Sequence, residues 1–262
     1  MPSQRMPERY TKNELYRAVK DVLDREEYDR LVREEIDAYG GLIDEHAAAL
    51  IVVDKHCRNL LPLTPISALA PDTDATLYAR VEHVGDIREF SGGRVANSII
   101  SDETGRCVLV LWDTDVDLIA ADKIREGQTI KIVNGYVKEG YHGVEVNIGK
   151  WGLIEIDPAD APDIEPSDEP TPLGDIDQGV VDIRATIRHI GPTNIYFTSS
   201  GETFSARVTL ADGTGERILV VWNQLAKQLQ QYEPGDTLTA RRVYMKNGEL
   251  HAGDISHFEP AD

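Results

Sequence analysis

Cysteine is nearly absent: the chain of 262 residues holds only Cys57 and Cys107. Two cysteines build neither a disulfide framework nor a four-ligand zinc site. None of the seven histidines pairs with a cysteine at ligand spacing. Long apolar runs are missing as well. No stretch reaches the ~18 apolar residues of a transmembrane helix. The opening MPSQRMPERYTKNELYR is charged where a secretory signal has an apolar core. Catalytic signatures are also lacking. There is no G-x-S-x-G, P-loop, H-E-x-x-H or dinucleotide fingerprint, and no nucleophile–base pair stands out. These absences lead to the expectation of a cytoplasmic binding protein that is not an enzyme, uses no metal or cofactor, and has no membrane partner.

Positive charge is scarce. Lys and Arg number 27 against 46 Asp and Glu, a net charge of −19. That balance argues against a phosphate-binding surface until its distribution is considered. Residues 158–179 hold seven acidic residues and no basic one, over a third of the excess, whereas 180–262 is nearly balanced. Elsewhere a general acidic bias serves solubility.

The pattern along the chain divides it into four parts. Residues 1–71 make a helical N-terminal region, with the helical pattern over 11–56. Thr11 with Glu14 forms a capping box, followed by the stripe Leu15, Val19, Val22 and Leu23. Asp24 and Glu27 open a second helix with Tyr28, Leu31, Val32, Ile36 and Tyr39 on one face, and Gly40-Gly41 stops it. Asp44 caps a third helix through AAALIVV, and Pro62 and Pro65 end the region. The three helices make a small bundle or an arm that needs a partner. Residues 72–157 are β-rich: TLYARVEHV, RVANSIIS, RCVLVLW, QTIKIVNGYV and GVEVNIG, with the helical TDVDLIAADKI after the third. Five strands with a helix between the third and fourth is the order of an OB barrel. Residues 158–179, rich in Pro and acid, read as an extended linker that lets its neighbours orient independently. Residues 180–262 repeat the β pattern, with QLAKQLQQY as the helix. The predicted fold is therefore mainly β: two tandem OB-fold barrels preceded by a small helical region.

The second barrel is a copy of the first. SDETGRCVLVLWD (101–113) matches ADGTGERILVVWN (211–223), so that Asp102, Thr104, Gly105 and Trp112 fall on Asp212, Thr214, Gly215 and Trp222. Further on, Gly127, Tyr136 and Lys138 fall on Gly235, Tyr244 and Lys246, and near the start VEHVG (81–85) falls on IRHIG (187–191). Three blocks in one order point to duplication.

These residues carry a resemblance. The doubled D-x-T-G-x(6)-W motif, the helix after it and the turn KEGYHGVEV resemble the OB-folds of replication protein A, most closely its archaeal form, and GLIDEHAAALIV resembles the helical leader of archaeal members. The resemblance covers most of the chain. It implies sequence-tolerant binding of single-stranded DNA in replication, repair and recombination, with bases stacked on aromatics. The matching positions are Trp112 and Tyr141 in the first barrel and Trp222 in the second. By position, backbone contacts would come from Arg80, Arg88, Arg94, Arg184, Arg188 and Arg207. Two departures stand out: KNGELHAG has no aromatic in the place of Tyr141, with His251 the nearest flat side chain, and the C-terminal zinc finger of some archaeal relatives is absent.

The residues themselves leave alternatives open. Val108, Val110 and Trp112 alternate with Cys107, Leu109 and Leu111, so both sides of that strand are apolar and periodicity does not say which faces inward. Trp112 and Trp222 are core residues or stacking platforms. Phe90 before SGGR, and Tyr196-Phe197 before TSSG, contact bases or plug a barrel end. Tyr141, on a loop tip, reads as a contact, and His142 beside it as a surface residue. Lys138 and Lys246 join the arginines as a basic set repeated in both copies. Asp102 and Asp212 read as turn formers, and Asp113, Asp115 and Asp117 as helix caps rather than a calcium loop.

The partners expected are single-stranded DNA and, through the N-terminal helices, replication and repair proteins; an oligomer is allowed. Three rivals remain: an RNA-binding module, a protein-interaction scaffold without nucleic acid, and a metal-dependent nuclease.

Overall fold

The computed structural model describes residues 11–56, 62–148, 152–198 and 201–260. Cys57 and residues 199–200 of the turn after Phe197 lie outside the described residues.

The leader folds as its caps dictate. The helices are α1 (Lys12–Val19), α2 (Arg25–Ala38) and α3 (Glu45–Lys55). Thr11 and Glu14 close the capping box, and the carboxylates of Asp24 and Asp44 accept from the N–H groups of Glu27 and Ala47. Leu15, Val19, Leu23, Tyr28 and Val32 pack against Ala48, Ala49, Val52 and Val53. Val22 departs from the expected stripe at 52% exposure, because α1 ends at Val19 and the helical period no longer applies. The bundle is not a free arm: Tyr39 and Ile51 join the core of the first barrel, and the buried Lys131 ammonium pairs with Asp54 of α3.

The first barrel consists of β1 (Thr73–Val84), β2 (Arg88–Phe90), β3 (Gly93–Asp102), β4 (Gly105–Trp112), α4 (Asp117–Ala120), β5 (Thr129–Gly140), β6 (Gly143–Asn147) and β7 (Leu153–Ile156). β1 pairs with β3 and β5, β3 with β4, and β5 with β6, all antiparallel; the parallel pair β4–β6 closes the barrel. The second barrel has β8 (Val180–Ile190), β9 (Asn194–Thr198), β10 (Gly201–Ala211), β11 (Glu216–Trp222), α5 (Asn223–Gln228), β12 (Thr237–Lys246), β13 (Glu249–Ala252) and β14 (His257–Phe258). Its parallel β11–β13 pair closes the barrel in the same way. The helix expected over 114–124 shrinks to the four residues of α4. Its N-cap is Val116 with no side-chain cap bond, so the three aspartates do not cap it. Instead the Asp113 carboxylate accepts from Arg94 N–H, and Asp117 pairs with the Arg94 guanidinium.

The D-x-T-G turns do more than turn. One oxygen of Asp102 accepts from the N–H groups of Thr104 and Gly105 and from the Thr104 hydroxyl; the other accepts from Ile66 N–H at 2.8 Å. Asp212 repeats this with Thr214, Gly215 and Leu173 N–H at 2.7 Å. Each aspartate thus pins a 3-10 turn that plugs its barrel, Ile66–Ala68 in one and Leu173–Asp175 in the other. Thr64-Pro65-Ile66 and Thr171-Pro172-Leu173 are therefore a further block of the repeat. Leu173 and Ile176 are buried in the second core as Ile66 and Leu69 are in the first.

The acidic segment is accordingly not a free tether. Its end belongs to the second core, Ile164 is buried, and the Ser167 carbonyl accepts from Arg106. The barrels meet along a seam. Ile99, Val108 and Val110 on the outer side of β3 and β4 pack against Val180 and Tyr244 of the second barrel. Across it the Arg106 guanidinium of the first barrel lies 3.5 Å from Asp182 of the second. Gly143 (φ +81°) approaches so closely that a Cβ there would lie 2.1 Å from the Met245 carbonyl oxygen. Independent orientation of the barrels, expected from composition, is replaced by a packed interface.

Candidate nucleic-acid interface

The seam settles what periodicity left open. Cys107, Leu109 and Leu111 point into the first core, and Val108, Val110 and Trp112 point out. Both sides of β4 are apolar because the outer one is covered too. In the second barrel Leu219 and Val221 point inward, leaving Ile218, Val220 and Trp222 on the outer side.

Each tryptophan is half-buried and held at its edge. Trp112 Nε1 donates to Asn147 Oδ1 at 3.0 Å. Lys138 Nζ lies 5.5 Å from the indole ring, and Phe90 meets it edge-on at 6.4 Å. Trp222 Nε1 donates to His251 Nδ1 at 3.1 Å, with the two rings 9° from parallel. An indole N–H with its acceptor already in place leaves the ring face available for a base.

The tryptophans line one cleft of about 470 Å³ between the barrels. The first barrel supplies Arg88, Trp112, Lys138 and Tyr141; the second supplies Trp222 and Asp254. Tyr141 is 57% exposed. Lys246 reaches across the seam, donating to the Tyr141 carbonyl at 2.9 Å with its ammonium 4.7 Å from the Tyr141 ring. The second barrel thus places a cation beside the first barrel's loop aromatic. His251 stands at the place of Asn147 under Trp222, not at the place of Tyr141.

Other expected residues are not brought to the cleft lining. Phe90 only buttresses Trp112. Arg80 faces the acidic segment, its Nη1 3.4 Å from the Ile164 carbonyl. Arg94 is tied to Asp117 at 2.9 Å. Arg184 and Arg188 are exposed on β8. Arg207 pairs with Glu249 at 2.9 Å on the second barrel's outer side, and Phe197, 80% exposed, stands on the β9–β10 hairpin with Tyr196. The outer side of β3 and β4 is partly roofed by Val180 and Tyr244.

His142, expected at the surface, is buried. Its Nδ1 faces Glu145 Oε1 at 3.1 Å and its Nε2 faces Asp254 Oδ1 at 2.9 Å, so it joins the two barrels. A carboxylate at each ring nitrogen favours the imidazolium, the form in which both nitrogens donate. Burial opposes that charge, but the bonds to Asp254 and Glu145 outweigh it and raise the His142 pKa. Glu145, despite its burial, and Asp254 are both held low by the same pairing. Asp254 also pairs with Arg88 at 3.2 Å. Glu145 lies three residues away, but the partner that makes His142 a bridge, Asp254, lies 112 residues away.

A family model described as an OB-fold nucleic acid binding domain matches residues 75–154. Replication factor A of Methanothermobacter thermautotrophicus is 28% identical over 228 residues, covering 79% of this chain; the chain spans 28% of that relative's length. A solution structure of a replication factor A related protein from Methanobacterium thermoautotrophicum is 28% identical over 36% of this chain and 90% of its own, with a TM-score of 0.33. A replication protein A heterotrimer bound to single-stranded DNA is 19% identical over 75% of this chain and 51% of the matched chain, with a TM-score of 0.36. The chain is a tandem OB-fold protein similar to archaeal replication factor A.

Proposed function

We propose that the chain binds single-stranded DNA without sequence preference, in replication and in the repair and recombination that share its single strands, and that it is a binding protein rather than an enzyme. The observation that carries this reading is the convergence of Trp112, Tyr141 and Trp222, with Arg88 and Lys138, in one cleft fed by both barrels. Unpaired bases stack on aromatics with about 1–3 kcal/mol each. Arg88, Lys138 and Lys246 meet the phosphates between them. Among the cleft's lining residues only Arg88 and Lys138 are lysine or arginine, too few for a duplex, whose affinity rests on many phosphate contacts. Replication and repair proteins would meet the exposed charged face of α2, with Glu26, Glu27, Arg30 and Arg33.

Titration of the chain with labelled oligothymidine, read by anisotropy and tryptophan emission, tests the proposal. Saturable binding with tryptophan quenching, not displaced by duplex DNA, is expected. Tighter binding to oligouridine of equal length would favour an RNA module. Absence of binding to either would leave a protein-interaction scaffold.

A further inference from the structure

The two tryptophans of the cleft are held at one position by two different chemistries. Asn147 lies opposite Tyr136 and beside Val110; His251 lies opposite Tyr244 and beside Val220. Asn147 and His251 are thus the same site in the two copies, and each accepts the indole N–H of the tryptophan above it, at 3.0 Å and 3.1 Å. An indole nitrogen only donates, so each platform needs an acceptor. An amide oxygen accepts at every pH. An imidazole Nδ1 accepts only when the ring is neutral with its proton on Nε2.

We propose that His251 is a positioning residue for Trp222, and that protonation of its ring releases this platform, so that the second barrel's share of single-strand binding falls with acidity while the first barrel's, set by Asn147, does not. This rests on the single-strand reading above.

The surroundings favour the neutral ring at physiological pH. β11 presents Val220 and Trp222, and β12 presents Tyr244, stacked 5.6 Å away at 16°, and Lys246. β10 contributes Arg207, and Glu249 sits on the histidine's own strand. Burial disfavours the charged ring most; the Lys246 and Arg207 charges act in the same direction, while Glu249, engaged by Arg207, and the hydrogen bond to the Lys246 backbone act against them. The His251 pKa therefore lies below the ordinary imidazole value. The indole–imidazole bond is made at neutral pH and is lost as the pH falls below the ordinary imidazole range.

The test uses the full chain labelled with 5-fluorotryptophan, its three resonances assigned by single Trp→Phe variants and followed by fluorine NMR from pH 5 to 8. Oligothymidine affinity is measured over the same range. His251→Asn installs the first barrel's arrangement, and His251→Ala removes the acceptor. The Trp222 resonance should titrate in the wild type and stay still in His251→Asn. Wild-type affinity should weaken about fivefold to tenfold between pH 7.5 and pH 5, His251→Asn should show no such loss, and His251→Ala should bind weakly at both. Other histidines are common to both proteins, so their contributions cancel in the comparison. A His251→Asn protein that titrates like the wild type, or a His251→Ala protein that binds like it at pH 7.5, overturns the inference. Absence of oligothymidine binding at every pH, with the Trp222 resonance still following His251, would reject the proposed function and leave the pairing standing.

Discussion

The two barrels share a sequence pattern, a strand order and a tryptophan at the end of the third barrel strand, yet their outer faces have diverged. On the first barrel the outward positions of β3 and β4 are Val95, Asn97, Ile99, Val108 and Val110. On the second the same positions hold Ser205, Arg207, Thr209, Ile218 and Val220. The first face is roofed by Val180, Tyr244 and Ile255; on the second, Ile218 is 42% exposed and Arg207 is exposed. Duplication supplied two equivalent surfaces, and covering one of them turned it apolar while the open one stayed polar. What both keep is a tryptophan whose indole N–H is held by an acceptor on β6 or β13, though that acceptor changes from Asn147 to His251.

The most disruptive way to break this comparison is to charge each face at one position. Val108→Lys places an unpaired ammonium in the seam and should cost about 3–5 kcal/mol. Scattering should then show the barrels parting. Ile218→Lys, at the matching open position, should change stability by no more than about 0.5 kcal/mol. Equal effects would mean that the seam does not exist in solution.

Next in size are the platforms. Trp112→Ala and Trp222→Ala should each weaken oligothymidine binding by about 1–3 kcal/mol, that is, about fivefold to more than a hundredfold. Trp112→Ala should cost more, since Phe90 and Lys138 lose their contact with it. If only one substitution matters, the cleft is not shared.

The aspartate straps come third. Burial would raise the Asp212 carboxyl, but the donors Leu173, Thr214 and Gly215 prevail and hold it at about 2. A carboxyl lowered on folding stabilises above its unfolded value and loses that contribution as pH falls. Melting curves should therefore fall between about pH 4 and pH 2. Asp212→Asn should flatten that fall and cost about 1 kcal/mol at pH 7, where charge-assisted bonds become neutral ones.

The smallest effect is on salt. Arg88, Lys138 and Lys246 give about three phosphate contacts, hence a slope of log affinity against log salt near −2. The Asp254 carboxylate freed from Arg88 flattens it further. A slope steeper than about −4 would place Arg184, Arg188 and Arg207 on the strand and move its path onto the second barrel's open face.

Local chemistry made much of the fold legible. Thr11, Asp24 and Asp44 cap their helices because a cap is read from residues three apart. The doubled D-x-T-G-x(6)-W motif located both third strands and both tryptophans. The acidic segment misled, because Pro and Asp suggest a tether while Leu173 and Ile176 inside it are core residues of the next barrel. Positive charge is visible in a sequence, but the carboxylates that engage two of the arginines, Asp117 for Arg94 and Glu249 for Arg207, lie far along the chain.

By itself the sequence determined the two barrels, their strand order, the helical caps and the aromatics that could stack, because each depends on near neighbours and on periodicity. Only the tertiary structure decided which side of β4 faces outward, that His142 is a buried bridge, and that Trp112 and Trp222 share one cleft. Those follow from the seam, where Gly143 meets Met245 and Val108 meets the second barrel. Contacts across more than a hundred residues are fixed by shape and desolvation, which no local pattern records.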